Sequence, residues 1–293
     1  MKFRAHDTFA IRKGWLHKGM RHILNNPRLF VDKNVNAMDE LGIGSNMVKA
    51  LRYWLQAFGL TIETGTTTKK QEFTDLGKII WDNDAFMEED GTYCLLHYML
   101  ASNEELATAW YYFFNVYNMN EINKESFISE IKSYIELNFD GGSVSDRALE
   151  DDFDCIIKTY FKNNESNFSP ESNIESPLTE LGLIKLLDKK NKIYSKTAPS
   201  FATINPLIIL AIIIKENKDK KNKDIKISKL EKEPCNIGKI FNLNNIQVAQ
   251  YLDKLQNLGY IKVIRSAGLD IINLKTDLTF NDCVKKYYEN LDN

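Results

Sequence analysis

The first group of residues that could do chemistry lies close to the start of the chain. His6, Asp7 and Arg12 stand within one short stretch. Histidine transfers protons near neutral pH, and an arginine guanidinium holds a phosphate through two hydrogen bonds. Together these groups suit a phosphodiester site, and we predict that His6, Asp7 and Arg12 are catalytic. Plain phosphate contact or a solvated helix face fits the same basic, histidine-rich pattern.

The second group lies on a helix with two distinct faces, predicted over Asn46–Phe58. Its apolar residues, among them Leu51, Trp54 and Leu55, recur at the spacing of a buried helical stripe. Lys and Arg on the other face can reach phosphates or guanine edges, and Asn and Gln amides can pair with adenine. The predicted DNA-binding residues are Lys18, Asn46, Lys49, Arg52, Tyr53, Gln56, Lys69 and Lys70. An ordinary amphipathic helix that binds protein, or nothing, is the alternative.

The segments around this helix predict a winged-helix unit. Leu41–Gly44 (LGIG) allows a tight turn before the helix, and Ser45 is a good N-cap. After the helix, Leu60–Glu63 and Gln71–Thr74 are predicted strands of a hairpin. A helix, a turn, a second helix and a hairpin are typical of proteins that insert the second helix into the major groove.

The opening segment is predicted to form a helix as well. Asp7 or Thr8 would begin it, and it would end near Asn25, before Pro27. Its polar side carries Arg12, Lys13, His17, Lys18, Arg21 and His22.

Near the other end of the chain the same pattern returns. Asn245–Leu258 has helical apolar spacing, and Tyr260–Arg265 and Leu269–Leu274 alternate like paired strands. Between the two units lies an aromatic, apolar stretch, Cys94–Tyr117. We therefore predict a mainly helical α+β protein with winged-helix units at both ends around a helical middle.

This pattern predicts three parts: a DNA-binding unit at residues 1–90, an acidic helical middle at 91–165 and a winged-helix-like unit at 178–293. Residues 162–177 are rich in Asn and Ser and are predicted to link the middle to the last unit.

Charge is distributed unevenly along the 293 residues. Residues 1–80 hold 13 Lys and Arg against 7 Asp and Glu, residues 81–200 hold 10 against 22, and residues 201–293 hold 15 against 11. Because DNA repels an acidic surface, we expect the two ends to contact it.

Acidic residues in the middle offer a metal site. They form two groups, Asp82, Asp84, Glu88, Glu89 and Asp90, and Glu150, Asp151, Asp152 and Asp154. Mg²⁺ prefers such oxygen ligands and is the expected cofactor, although its ligands are not identified. Helix caps and solvated loops fit these residues equally, and the sequence has no Walker loop, HNH or HExxH motif.

Cysteine usage and hydropathy favour a cytoplasmic protein. Four scattered cysteines without a CxxC pair indicate reduced thiols. No apolar stretch follows the opening charges, so we expect no signal peptide, and the most apolar run, Pro206–Ile214, is about half as long as a membrane span. We expect no membrane partner.

Several blocks resemble the bacterial DUF4007 family along nearly the whole chain. They are FRAHDTFAIRKGWLHKG, LGIGSNMVKALRYWLQAFGL, FTDLGKIIWDND, LLHYMLASN, ATAWYYFFN and GKIFNL with YLDKLQNLGYIKVIRSAGL. The matching positions include His6, Asp7, Arg12, Trp15 and Lys18, and Asn46, Lys49, Arg52 and Tyr53. Ser45 departs from the Lys that is common in the family.

The resemblance implies a role in DNA phosphorothioation and phage defence. In such a system the family member nicks duplex DNA so that sulfur can be inserted, beside a desulfurase, an ATPase and a pyrophosphatase-like subunit. A non-catalytic DNA-binding adaptor is the alternative. A transcription regulator is a third interpretation, and it would require a specific operator and usually a homodimer.

Overall fold

The computed structural model describes residues 1–66, 69–140, 142–162, 175–217, 223–266 and 269–291. Helices dominate these ranges, and the strands within them form small antiparallel sheets. The protein is therefore of the α+β class, as the sequence indicates. Residues 163–174, most of the predicted linker, lie outside the described residues.

The first part of the chain builds a small helical layer with a hairpin beside it. Its elements are α1 (Trp15–Asn25), α2 (Ala37–Leu41), α3 (Ser45–Ala57), β1 (Thr61–Thr64), β2 (Lys70–Phe73) and α4 (Asp75–Asn83). Gly59, at a φ of 64°, lets the chain turn from α3 into β1. The backbone N–H of Gln71 in β2 donates to the Pro27 carbonyl at 2.8 Å, which ties the hairpin to the segment after α1.

Helix α3 agrees with its prediction to within one residue at each end, but its N-cap does not. Gly44 is the N-cap, in an extended conformation, and Ser45 is already helical. The prediction that Ser45 caps the helix is wrong, because the chain enters the helix one residue earlier. Leu51, Trp54 and Leu55 are completely buried, as their spacing predicts.

The opening helix begins only at Trp15, so its predicted start at Asp7 or Thr8 is wrong, whereas its end at Asn25 is as predicted. Arg4, Asp7, Thr8 and Gly14 all have positive φ, which a right-handed helix excludes. The segment instead lies against the middle of the protein. The Lys2 backbone N–H donates to the Thr108 hydroxyl at 2.8 Å.

The middle of the chain is helical and aromatic. It contains α5 (Asp90–Ala101), α6 (Thr108–Tyr111), a π-helical turn (Tyr112–Val116), α7 (Lys124–Asn138) and α8 (Asp146–Tyr160). The side chains of Asn123 and Ser145 cap α7 and α8, as such residues commonly do. Phe113 and Phe127 are fully buried between these helices.

The remaining elements surround one very apolar helix. They are a 3₁₀ turn (Pro177–Leu181), β3 (Ile184–Asp188), β4 (Ile193–Lys196), α9 (Pro206–Glu216), β5 (Asp224–Lys226), α10 (Ile227–Lys232), α11 (Ile237–Ile240), α12 (Asn245–Asn257), β6 (Ile261–Ser266), β7 (Leu269–Leu274) and α13 (Phe280–Glu289). Strand β7 lies between β5 and β6. Residues 207–213 of α9 are all buried. None of the described helices, α9 included, has the length and apolarity that crossing a membrane requires.

The predicted parts of the chain share one hydrophobic core in the folded protein. Helix α13 packs on α9 and α4, and the Gly91 backbone N–H donates to the Tyr287 hydroxyl at 3.1 Å. The His97 ring lies 2.8 Å from the Tyr160 hydroxyl and 2.7 Å from the Ile240 carbonyl. Burial lowers the pKa of His97 to about 4, so this ring is neutral. The division at residues 90 and 178 stays a prediction.

Candidate nucleic-acid interface

The exposed side of α3 begins with two polar residues. Asn46 and Lys49 are both exposed, and the Lys49 ammonium donates to the side-chain Oδ1 of Asn46 at 3.3 Å. In the described part of the chain Lys49 forms no ion pair with a carboxylate. Its charge is therefore available to a phosphate.

A single carboxylate joins α3 to the hairpin. Glu63 of β1 accepts hydrogen bonds from Arg52, one of them at 3.1 Å from Nε, and pairs with Lys69 at 3.0 Å. Burial opposes the ionisation of Glu63, but the bonds from Arg52 and Lys69 prevail and lower its pKa. The structure therefore brings Arg52 and Lys69 together around an acid that sequence reasoning missed. The position of Glu63 between Arg52 and Lys69 in the sequence could have indicated this ion pairing.

Gln56 and Lys70, which are also predicted to contact DNA, form bonds within the protein. Gln56 donates to the Arg52 carbonyl at 3.1 Å. Lys70 pairs with Glu72 at 2.5 Å, and hydrogen bonds from Lys70 and Thr64 lower the pKa of Glu72. Both lysines of the hairpin thus carry partly neutralised charge.

Lys18 and Tyr53 lie away from the exposed side of α3. The Lys18 ammonium donates to the Leu41 carbonyl at 3.1 Å, at the end of α2. Tyr53 is only 6% exposed. Burial, followed by the charges of Asp152 and Cys155, raises its pKa well above the ordinary value. Lys18 and Tyr53 therefore contact other parts of the protein, and neither lies on the exposed side of α3.

His6 is fully buried and holds the opening segment to α8. Its Nε2 lies 2.6 Å from an Asp152 carboxylate oxygen, which also accepts the Arg4 backbone N–H at 2.9 Å. The ring stacks on Trp54 with a centroid separation of 6.0 Å. The Thr8 backbone N–H donates to Nδ1 at 3.1 Å, so Nε2 carries the proton that Asp152 accepts.

Protonation of His6 is coupled to this buried contact. Burial disfavours a charged imidazole, but Cys155 and Asp152 more than offset it and raise the pKa of His6 to about 10. Burial also raises the pKa of Asp152, against the effect of His6. A second proton on His6 would occupy Nδ1, so charging the ring requires the Thr8 N–H to give up its bond.

Asp7 and Arg12 lie outside this buried contact. Both are half-buried, and the Arg12 guanidinium lies 5.2 Å from the centre of the Trp15 ring. Among the described residues, no side-chain hydrogen bond or ion pair links Asp7, Arg12 and His6. The three predicted catalytic groups are therefore not joined into one bonded cluster.

The acidic residues of the middle have partners of their own. Asp84 accepts the Glu88 and Glu89 backbone N–H groups and the Thr92 hydroxyl, the last at 2.6 Å. Asp151 pairs with Arg4 at 2.6 Å, and Asp154 pairs with Lys124 at 2.7 Å. Within the described residues, no group of three or more His, Cys, Asp or Glu is arranged to hold a metal ion.

An exposed aromatic stack lies beside α1. His17 stands between Phe86 and Trp81, with ring centres at 4.4 and 5.3 Å and nearly parallel planes. Phe86 is 66% exposed, and His17 Nδ1 donates to the Ala85 carbonyl at 2.9 Å. The sequence shows Phe86 among acidic residues, but we did not predict a stack from it.

The chain belongs to a known protein family. The chain is a member of the DUF4007 family, which carries the description 'protein of unknown function'. The family model matches residues 3–288. The membership predicted from the sequence blocks is confirmed.

Two solved structures resemble the chain along almost its whole length. They are a crystal structure of SspB and one of magnesium ion-bound SspB. Each has a TM-score of 0.86 and 26% sequence identity, covering 99% of this chain and 88% of the SspB chain. No curated protein matches the chain.

Proposed function

We propose that this protein is the DNA-engaging component of a bacterial DNA phosphorothioate modification and phage-defence system. The supporting observation is the likeness to SspB, which extends over 99% of the chain with a TM-score of 0.86. Duplex DNA is the substrate in this proposal. The partners are the desulfurase, the ATPase and the pyrophosphatase-like subunit of such a system.

Two winged-helix units would hold the duplex in this proposal. Helices α2 and α3 with the β1–β2 hairpin would be the first, and α12 with the β5–β7–β6 sheet would be the second. In the first unit, α3 would lie in the major groove with Asn46 and Lys49 towards the DNA. Arg52, Lys69 and Lys70 would lie along the flanking backbone.

The proposed activity is nicking of one strand. In hydrolysis, water attacks the phosphorus, the bond to one bridging oxygen breaks and that oxygen takes a proton. Arg12 would hold the phosphate through its guanidinium. His6 is fully buried and would act as a positioning residue for the opening segment.

Mg²⁺ is the metal named in this proposal, as in the magnesium-bound SspB structure. Mg²⁺ usually keeps several waters and binds one or two carboxylates together with substrate phosphates. Asp7 is half-buried, its carboxylate has no hydrogen bond or ion pair among the described residues, and it offers one such ligand. The bound ion would neutralise charge that develops on the phosphate.

A non-catalytic DNA-binding adaptor is the second candidate. The burial of His6 supports it, because a general base must reach the proton that it takes. The adaptor would use the same DNA-binding surface and leave the phosphodiester bond intact.

A plasmid assay distinguishes the two candidates. Purified protein is incubated with supercoiled plasmid and Mg²⁺, Mn²⁺ or EDTA, and duplex binding is measured in parallel. Open circles that form with metal, and decrease in Asp7→Asn and Arg12→Gln, support nicking. Salt-sensitive binding with a plasmid that stays supercoiled supports the adaptor. Failure to bind duplex at low salt would overturn both.

A further inference from the structure

A cavity lies far along the chain from α3. It has a volume of about 560 Å³ and lies between the β3–β4 hairpin, residues 117–120 and the α10–α11 segment. This volume is in the range of small-molecule sites in proteins.

The charge around this cavity has one dominant sign. Four lysines line it, with a single acid, Glu231. The lysines are Lys185, Lys196, Lys232 and Lys239. None of them forms an ion pair with a carboxylate in the described part of the chain. Such an excess of ammonium groups suits a multiply charged anion, because each lysine acts on a phosphate as a point charge.

Lys196 is held in place by the π-helical turn. Its ammonium donates to the Phe113 and Tyr117 carbonyls. An ammonium has three N–H donors, so one is left for another acceptor. Short π-helical turns occur frequently at functional sites.

An unpartnered hydroxyl lines the same cavity. Ser195 is only 9% exposed, and its buried Oγ has no hydrogen-bond partner among the described residues. Ser195 stands opposite Lys185 in the β3–β4 pair, and both line the cavity. Because a buried hydroxyl without a partner is costly, a hydrogen bond from Ser195 Oγ to a ligand oxygen would be favourable.

We propose that this cavity binds a phosphorylated small molecule of the nucleotide type. Lys196, Lys239 and the Ser195 hydroxyl hold its phosphate. Lys239 is already oriented by a 2.7 Å bond to the Asn118 side chain. Leu187 and Met119, each 51% exposed, supply the apolar rim for the base or sugar.

Ligand binding should be coupled to the protonation of Lys196. Burial, with Lys239 as a second cause, lowers the pKa of Lys196 to about 7. The charged groups that line the cavity with it are Lys185, Lys232, Lys239 and Glu231. A bound dianionic phosphate favours the charged ammonium, so binding should weaken between pH 7.5 and 9, where the phosphate is already dianionic.

Calorimetry on the full chain tests the proposal, with AMP, ADP, inorganic phosphate and adenosine as probes. AMP and ADP should bind and adenosine should not, and phosphate alone should bind more weakly than AMP. Ser195→Ala and Lys239→Gln should each weaken AMP binding about ten-fold, the value of one charge-assisted hydrogen bond. Lys285→Gln, an exposed lysine on α13, is the matched control.

Two results would overturn the proposal. One is the absence of heat with every phosphate compound, while circular dichroism shows a folded protein. The other is a loss of duplex affinity in Lys239→Gln without nucleotide binding, which would make the cavity a DNA contact. Lys49→Gln should leave AMP binding unchanged, so this proposal and the proposed function can fail separately.

Discussion

Arg52 on α3 and Lys69 on the hairpin share one carboxylate, that of Glu63. Helix α3 and the hairpin are therefore linked by the ion pairs that Glu63 forms. The shared acid also offsets part of the positive charge that duplex DNA would meet. It holds two basic side chains in place and weakens their pull on a phosphate.

Replacing Glu63 by Gln should strengthen duplex binding at low salt. Arg52 and Lys69 would each regain an unpaired charge, so the affinity should rise and depend more steeply on salt. The half-exposed ion pairs contribute little to stability, and the free energy of unfolding should fall by less than about 1 kcal/mol. Fluorescence anisotropy across a salt series measures the effect. Glu121→Gln, an exposed acid in the middle, is the control, and weaker binding by a folded Glu63→Gln protein would contradict the prediction.

Lys49→Gln should weaken duplex binding equally for different sequences. A lysine that contacts a phosphate carries no base information, and its loss lowers the salt slope by about one. The same anisotropy titration, repeated with unrelated duplexes, checks this. Lys158→Gln on the acidic side of α8 should behave as wild type. Equal affinities for wild type and Lys49→Gln would remove α3 from the interface.

Stability should fall as pH rises because of His6. Its pKa is raised in the folded protein from 6.5 to about 10. The proton concerned is the second one on the ring, which Nδ1 takes up when the Thr8 N–H gives up its bond. Its contribution is fully present below pH 6.5 and is lost as the pH approaches 10. Tm measured over this range should fall more steeply for wild type than for Asp152→Asn. At pH 6 the variant should be less stable by about 3–5 kcal/mol, the usual cost of breaking a buried pair. Parallel Tm curves for the two proteins would contradict the coupling.

Gly77→Ala should destabilise the fold, because a Cβ at this position would lie 2.0 Å from the Leu60 carbonyl oxygen. A backbone carbonyl cannot move aside as a flexible side chain does, so the expected loss is about 1–3 kcal/mol or more. Gly44→Ala, at the N-cap of α3, meets nothing within 4 Å and should cost less than about 1 kcal/mol, because only the N-cap preference for glycine over alanine is lost. Urea unfolding of both variants measures the difference. Equal midpoints would show that α4 shifts to accept the methyl group.

The sequence predicted those helices and strands whose formation depends on their own residues. The stripe of Leu51, Trp54 and Leu55 requires one buried face, so α3 was predicted almost to the residue. The opening segment was not, because its turns depend on residues in left-handed conformations and on contacts with Thr108 and Asp152. A local pattern contains no information about such distant partners.

The candidate site also has features that follow from local sequence spacing and features that depend on distant contacts. Exposure of Asn46 and Lys49 follows from the helical period, and the prediction placed them correctly on the polar face of α3. The burial of His6 does not follow from any local spacing, because its partner Asp152 is far along the chain. The cavity beside Ser195 likewise brings together segments that are separate in sequence.

Helix α13 has a consequence for the order in which the protein can form. It packs on α4 and α9, and its Tyr287 hydroxyl accepts the Gly91 backbone N–H. On the ribosome, Phe280–Glu289 emerges after the elements that it covers, and domains generally fold as they are synthesised. Until then, the apolar sides of α4 and α9 that α13 covers stay open to water and to other chains. The nascent protein therefore stays prone to aggregation until α13 packs on these helices.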